Sequence, residues 1–130
     1  MTDRTDWIIQ YFSYLVNEYG FHVQEKEFSP EVMGNAYVLF ISSKTGIEVV
    51  IDRNQVFISM GDQSEAKEKW LDIRDVLKKL APSEVAFVLY EKTDEMTWDE
   101  AVKAQLSRTS ILLHRCCVPL LKGELGMKKG

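Results

Sequence analysis

The sequence predicts an α+β domain with an N-terminal helix, a four-stranded antiparallel meander and two further helices. Three observations predict the architecture. Apolar residues recur at three-and-four spacing between 7 and 19, the period changes to two between 21 and 60, and helical spacing returns twice after residue 61.

In the first element, Asp3-Arg4-Thr5-Asp6 supplies caps, and Trp7, Ile8, Tyr11, Phe12, Leu15, Val16 and Tyr19 form one apolar helical stripe. Gly20 is able to take the left-handed cap conformation, with Phe21 folding back on the last turn. Residues 21–28 read as an edge strand, because Glu25-Lys26-Glu27 resists pairing with another chain. Beyond a connection at 29–34, residues 36–41 are apolar on both faces and belong in mid-sheet. Ser43-Lys44-Thr45-Gly46 is expected to be a hairpin loop with Gly46 at a position of positive φ. Ile47, Val49 and Ile51 then alternate in a third strand and Val56, Ile58 and Met60 in a fourth, joined by Asp52-Arg53-Asn54-Gln55.

Asp62 and Glu65 resemble a capping box for a second helix, whose apolar face would be Trp70, Ile73, Val76, Leu77 and Leu80, with Pro82 barring continuation. Residues 84–90 are too few to separate a fifth strand from a buried helical turn. Thr97-Trp98-Asp99-Glu100 is a capping box for a third helix with the stripe Trp98, Val102, Leu106, Thr109, Leu113, Cys117 and Leu120, which Pro119 should kink or end. Trp7, Phe12, Trp70, Leu77, Trp98 and Leu113 are the expected core. Residues 1–122 read as one domain and 123–130 as a flexible tail.

With 130 residues, 45 % of them apolar, the chain is large enough to hold a core without metal or disulfide staples. No run of about 18 apolar residues occurs and the amino terminus lacks a signal-peptide layout, so a cytoplasmic protein without membrane attachment is expected. Cys116 and Cys117 are adjacent, and a bridge between neighbours is strained, which fits a reducing compartment. The net charge of −4 is uneven: residues 91–102 are acidic and 103–130 basic. The basic segment has no interleaved aromatics and lies beside acidic stretches, which disfavours nucleic acid as a partner.

Gly34-Asn35 before a strand, Asp52-Arg53-Asn54-Gln55 between two strands, and Trp70-Leu71-Asp72-Ile73 opening a helix that ends in Val76-Leu77 form a recognisable set. In these features the stretch from 28 to 80 resembles uncharacterised small bacterial proteins related in style to the immunity proteins of toxin systems. It departs at Asn54, where Gly would be the commoner turn residue. The resemblance implies a helix, a meander and further helices, with no catalytic residue to carry over.

Catalysis has little support in the residues: His22 falls on an edge strand, His114 on a helix, and there is no nucleophile elbow, phosphate loop or nucleotide fingerprint. No enzyme activity and no cofactor are expected. His114 and Cys117 share a helix face, but a tetrahedral site wants four ligands, so no metal is expected and the cysteines read as reduced core residues, Cys117 inward with Cys116 beside it. The turn at 52–55 is the strongest local signature. Its bland role is structural, with Arg53 solvated or paired to Asp52 or Glu48, and its functional role is to display Arg53 and Gln55 to a partner.

The second face of the sheet collects Val50 and Phe57 with either Tyr37, Leu39 and Ile41 or Ala36, Val38 and Phe40 of the central strand, so helices must cover it or it is a dimer or partner interface. The leading expectation is a non-catalytic binding protein, of the kind that sheathes a basic toxin, contacting its partner through Arg53, Gln55, Asp94 and Glu95. The alternatives are a homodimeric secretion-type chaperone that binds a client segment along its sheet, and a small-molecule-binding module with a polar-lined pocket.

Overall fold

The structure, a computed structural model, describes residues 2–88 and 92–124, without the side chains of 87 and 88. Its first helix is in two pieces, α1 (Arg4–Tyr11) and α2 (Ser13–Tyr19). Phe12 leaves helical geometry at φ −106°, ψ 21°, and the Leu15 N–H donates to Phe12 O at 3.0 Å, so the expected single helix tightens by one turn where Phe12 enters the core. Gly20 at φ 74° ends α2, and the Phe21 N–H donates back to Leu15 O at 3.0 Å.

An antiparallel sheet follows, in spatial order β1 (His22–Ser29), β2 (Asn35–Ile41), β3 (Thr45–Asp52), β4 (Gln55–Asp62) and β5 (Leu71–Asp72). β1 is an edge strand, as its charged centre predicts, and β2 is interior. Alternation assigns the faces. Val38, Phe40, Ile47, Val49, Ile51, Ile58 and Met60 point at the helices, forming one core with Ile8, Phe12, Leu15, Leu77, Leu106 and Leu113. Burying such side chains stabilises the fold by roughly 1.5–3 kcal/mol each.

The helices therefore lie on one side of the sheet. α4 (Trp98–Cys116) opens with the expected capping box, the Glu100 N–H donating to Thr97 Oγ1 at 3.1 Å and the Thr97 N–H to Glu100 Oε1 at 3.0 Å. Pro119 sits in the first turn of α5 (Val118–Leu121), so it ends one helix by starting the next. Gly123, at φ 70°, and Glu124 donate to Leu120 O and Pro119 O, so the described chain closes its last turn.

Four expectations are corrected. Asp62 does not cap a helix: it ends β4, its carboxylate accepts from the Ser64 N–H at 2.9 Å, and the real cap is Asp72, which accepts from the Arg74 N–H at 2.8 Å to open α3 (Ile73–Leu80). Trp70 is buried, but on the opposite side of the sheet from the helices. Residues 63–70 cross that outer face through a 3-10 turn at Lys67–Lys69, and the Trp70 indole covers the cross-strand pair Gly46 and Gly61, with Nε1 donating to Asp62 O at 3.0 Å. Gly46 is consequently a strand residue and takes no positive φ: a Cβ at Gly61 would stand 2.5 Å from indole Cδ1, and one at Gly46 would meet the ring closer still. Finally, Trp98 is 51 % exposed, because the first residue of α4 precedes the length that packs on the core; Lys92 Nζ lies 4.8 Å above its ring.

The fifth strand is at Leu71–Asp72, whereas Pro82–Val88 forms 3-10 turns and residues 89 and 90 of the ambiguous stretch lie outside the described residues. All but the first two residues of the expected tail, 125–130, lie outside them too. Among the described residues no helix is long and apolar enough to cross a membrane.

Candidate functional site

The hairpin joining β3 and β4 is built to be rigid. Arg53 and Asn54 sit at φ 49° and 65°, the two left-handed positions of a type I′ turn, whose twist matches that of the strands it joins. Three side chains from elsewhere hold it, two by its backbone and one by the Asn54 side chain. Asn35 Oδ1 accepts from the Arg53 N–H at 2.8 Å while its Nδ2 donates to Asp52 Oδ1 at 3.2 Å. Gln105 of α4 donates from Nε2 to Asn54 O at 2.9 Å and accepts from the Val56 N–H at 3.0 Å. Arg4 of α1, only 2 % exposed, donates from Nη1 to Asn54 Oδ1 at 2.8 Å and from Nη2 to Asp99 Oδ1 at 3.0 Å, reaching Met33 O and Gly34 O at 3.4 Å.

Arg4 is thus the point where α1, the β1–β2 loop, the hairpin and the start of α4 converge. Its Nε is buried without a partner among the described residues, so the site carries an unmet desolvation cost. Because one guanidinium holds both Asn54 and Asp99, the hairpin and the first turn of α4 stand at the same end of the fold. Asp94 and Glu95 occupy an exposed turn just before that helix, closed by the Met96 N–H on Thr93 O at 3.1 Å. The structure so brings the two expected contact regions to one end.

Arg53 itself points away. Its side chain is 76 % exposed and its closest charge partner is Asp52, Nε to Oδ1 at 3.5 Å. Gln55 is exposed beside it.

The outer sheet face runs from that hairpin in cross-strand rows. Glu27, Tyr37, Val50 and Phe57 form one row, and Glu25, Leu39, Glu48 and Ser59 the next. Among the described residues no α-helix covers this face. Trp70 buries Leu39 and Ile41 at its far end, and Lys67 reaches Glu48 Oε2 at 2.8 Å, but Phe57 remains 38 % exposed and Tyr37 and Val50 half-buried. The segment that carries Trp70, rather than the expected helices, covers one part of this face, and the part around Tyr37, Val50 and Phe57 stays open. Two shallow grooves flank the open part, one lined by Asp52, Arg53, Gln55 and Phe57, the other by residues including Glu27, Tyr37, Val50 and Asp52.

On the far side, His114 stacks on Tyr14 at 4.2 Å between ring centroids and contacts Tyr19 Oη at 3.1 Å and Glu18 Oε2 at 3.3 Å. Tyr14 donates to Ser110 O at 2.7 Å, and burial raises its phenol well above the ordinary range, so it is a neutral tie between α2 and α4. Cys117 is buried and Cys116 half-buried; burial, then the neighbouring Cys116, pushes the Cys117 thiol up to about 12. Among the described residues no group of three or more His, Cys, Asp or Glu is placed to hold a metal ion.

No protein-family model, curated protein or solved structure matches this chain.

The sequence reading missed Arg4 and Gln105, whereas it held Tyr37, with Leu39 and Ile41, as one of two sets for the second face. A signal existed for the two it missed: an Arg in a first helical turn and a Gln one residue before Leu106 in an apolar stripe sit where a polar side chain is buried only if it is paired.

Proposed function

We propose that the chain is a non-catalytic protein-binding module that engages its partner with the hairpin end of its sheet: Arg53 and Gln55 at the tip, Phe57, Val50 and Tyr37 on the open outer face, and Asp94 and Glu95 at the neighbouring helix start. One observation carries the reading. Arg53 holds a left-handed backbone conformation that costs a non-glycine residue about 1 kcal/mol, and its side chain returns almost nothing to the fold. Glycine would serve the turn better, so the arginine answers to something outside the chain. The clamped backbone means that little entropy is lost when the side chain is gripped, and a planar guanidinium suits a bidentate acceptor.

An immunity-type inhibitor of a bacterial toxin, working in the cytoplasm, is the specific form of this proposal, supported by the acidic run before α4 and by the resemblance of residues 28–80. The test is a photo-crosslinking amino acid placed at position 57, with position 111 as control because Ile111, on α4, is the more exposed of the two. In the native cell a single protein should be captured from position 57 and not from 111. Capture only of a second copy of this chain would put the homodimeric chaperone reading in its place, and capture only from 111 would move the interface to the helices.

A further inference from the structure

The groove on the outer sheet face between β1 and β3 encloses about 220 Å³, room for one long side chain and not for a helix. Its lining includes the half-buried Tyr37 and Val50 and, from β1 and β3, Glu27 and Asp52. Its carboxylates are unevenly matched. On the same face Glu48 is paired with Lys67 at 2.8 Å and Asp52 Oδ1 has the exposed Arg53 at 3.5 Å and Asn35 Nδ2 at 3.2 Å, but the Glu27 carboxylate has no hydrogen bond or ion pair among the described residues. The next row already shows how this surface holds a cation. Lys67 Nζ sits on the Glu48 carboxylate and 5.8 Å from the centroid of the Tyr37 ring, a carboxylate and an aromatic face acting on one ammonium. The Tyr37 hydroxyl donates to Glu25, which fixes the ring across the face.

We propose that this groove seats a lysine or arginine side chain of a protein partner, its methylene stem on Tyr37 and Val50 and its cationic head between Glu27 and Asp52. The proposal rests on the reading of the outer face as the partner surface and adds the partner's chemistry to it. Complementary charge at such a groove speeds association and rejects acidic competitors, whereas its apolar lining takes the stem that long cationic side chains bury readily.

The test is an amide-resonance titration of the isotopically labelled full chain with three capped, extended pentapeptides that differ only at the central residue: arginine, norleucine or glutamate. The arginine peptide should shift the signals of Glu27, Tyr37, Val50 and Asp52 saturably, norleucine should bind several-fold more weakly, and glutamate should not bind. Glu27→Gln, an exposed and conservative change, should weaken the arginine peptide roughly five- to tenfold, and added salt should do the same to the wild type. The proposal is overturned if no peptide shifts these signals, if norleucine or glutamate equals arginine, or if Glu27→Gln has no effect. Norleucine binding as tightly as arginine at this row would end the charge assignment and leave the outer face as a docking surface, which the crosslink at position 57 decides separately.

Discussion

Replacing Arg4 by Met tests whether the hairpin end is held from within. The substitution keeps most of the buried stem and removes the guanidinium, leaving Asn54 Oδ1 without the donor it has at 2.8 Å. A buried hydrogen bond to a charged group is worth about 1.5–3 kcal/mol. The Arg4–Asp99 pair adds little, because the Asp99 side chain is 54 % exposed and water screens it, giving at most about 1 kcal/mol. Against this stands relief: a buried cation with an unpartnered Nε no longer has to be desolvated, and well-shaped apolar replacements of buried charges are often neutral. The balance is a loss of about 1–3 kcal/mol. Equilibrium urea unfolding measures it, and a double-mutant cycle with Asn54→Gly, which keeps the left-handed backbone, isolates the pair. A coupling of about 1–2 kcal/mol is expected. Additivity within about 0.5 kcal/mol, or an unchanged urea midpoint for Arg4→Met, would refute the claim that Arg4 holds the turn.

Other outcomes follow from the same structure. Trp70→Ala should cost about 3–5 kcal/mol although Trp70 is remote from the helices, and Gly46→Ala about 1–3 kcal/mol through collision with the indole; thermal melts that matched wild type would contradict the placement of residues 63–70. Arg53→Ala should leave stability within about 0.5 kcal/mol and Arg53→Gly should raise it by up to about 1 kcal/mol, while both weaken partner binding. Reversing Asp94 and Glu95 to Lys should also spare the fold, acting mainly on the partner's association rate and less so in high salt. The Thr97 N–H holds the Glu100 carboxylate below its ordinary value of 4.5, so its contribution is present above that value and lost as pH falls through the lower folded value; Glu100→Gln should flatten the acid limb of the stability profile. In the native protein a thiol reagent should modify Cys116 before Cys117, which burial keeps protonated at neutral pH and which should react only on unfolding.

Much of the fold is legible in the chain because it is written in local periods. The alternation from Ile47 to Met60 and the box at Thr97 and Glu100 each specify their element without help from elsewhere, and the stripe from Trp7 to Tyr19 specifies helix but not its break at Phe12. Trp70 shows where that reasoning stops. Its three-residue spacing to Ile73 imitates a helical stripe, but Asp72 supplies a better cap two residues later, and the Gly46–Gly61 pair offers the indole a flat seat that only strand pairing creates. Trp98 failed for a related reason: periodicity gives the direction of a side chain but not how far along the helix the core extends. At the candidate site, the turn at 52–55 was visible from its residue types. The clamps on it were not, because Arg4 and Asn54 lie 50 residues apart in sequence and Arg4 and Asp99 lie 95 apart.

The central claim is that the open outer face and its hairpin form the partner surface. Amide hydrogen exchange of the chain, alone and with the protein captured from position 57, tests it most directly. Protection should rise over 36–38 and 50–57 and stay unchanged over 106–115. Protection that rose on α4 while 50–57 stayed as in the free chain would contradict it.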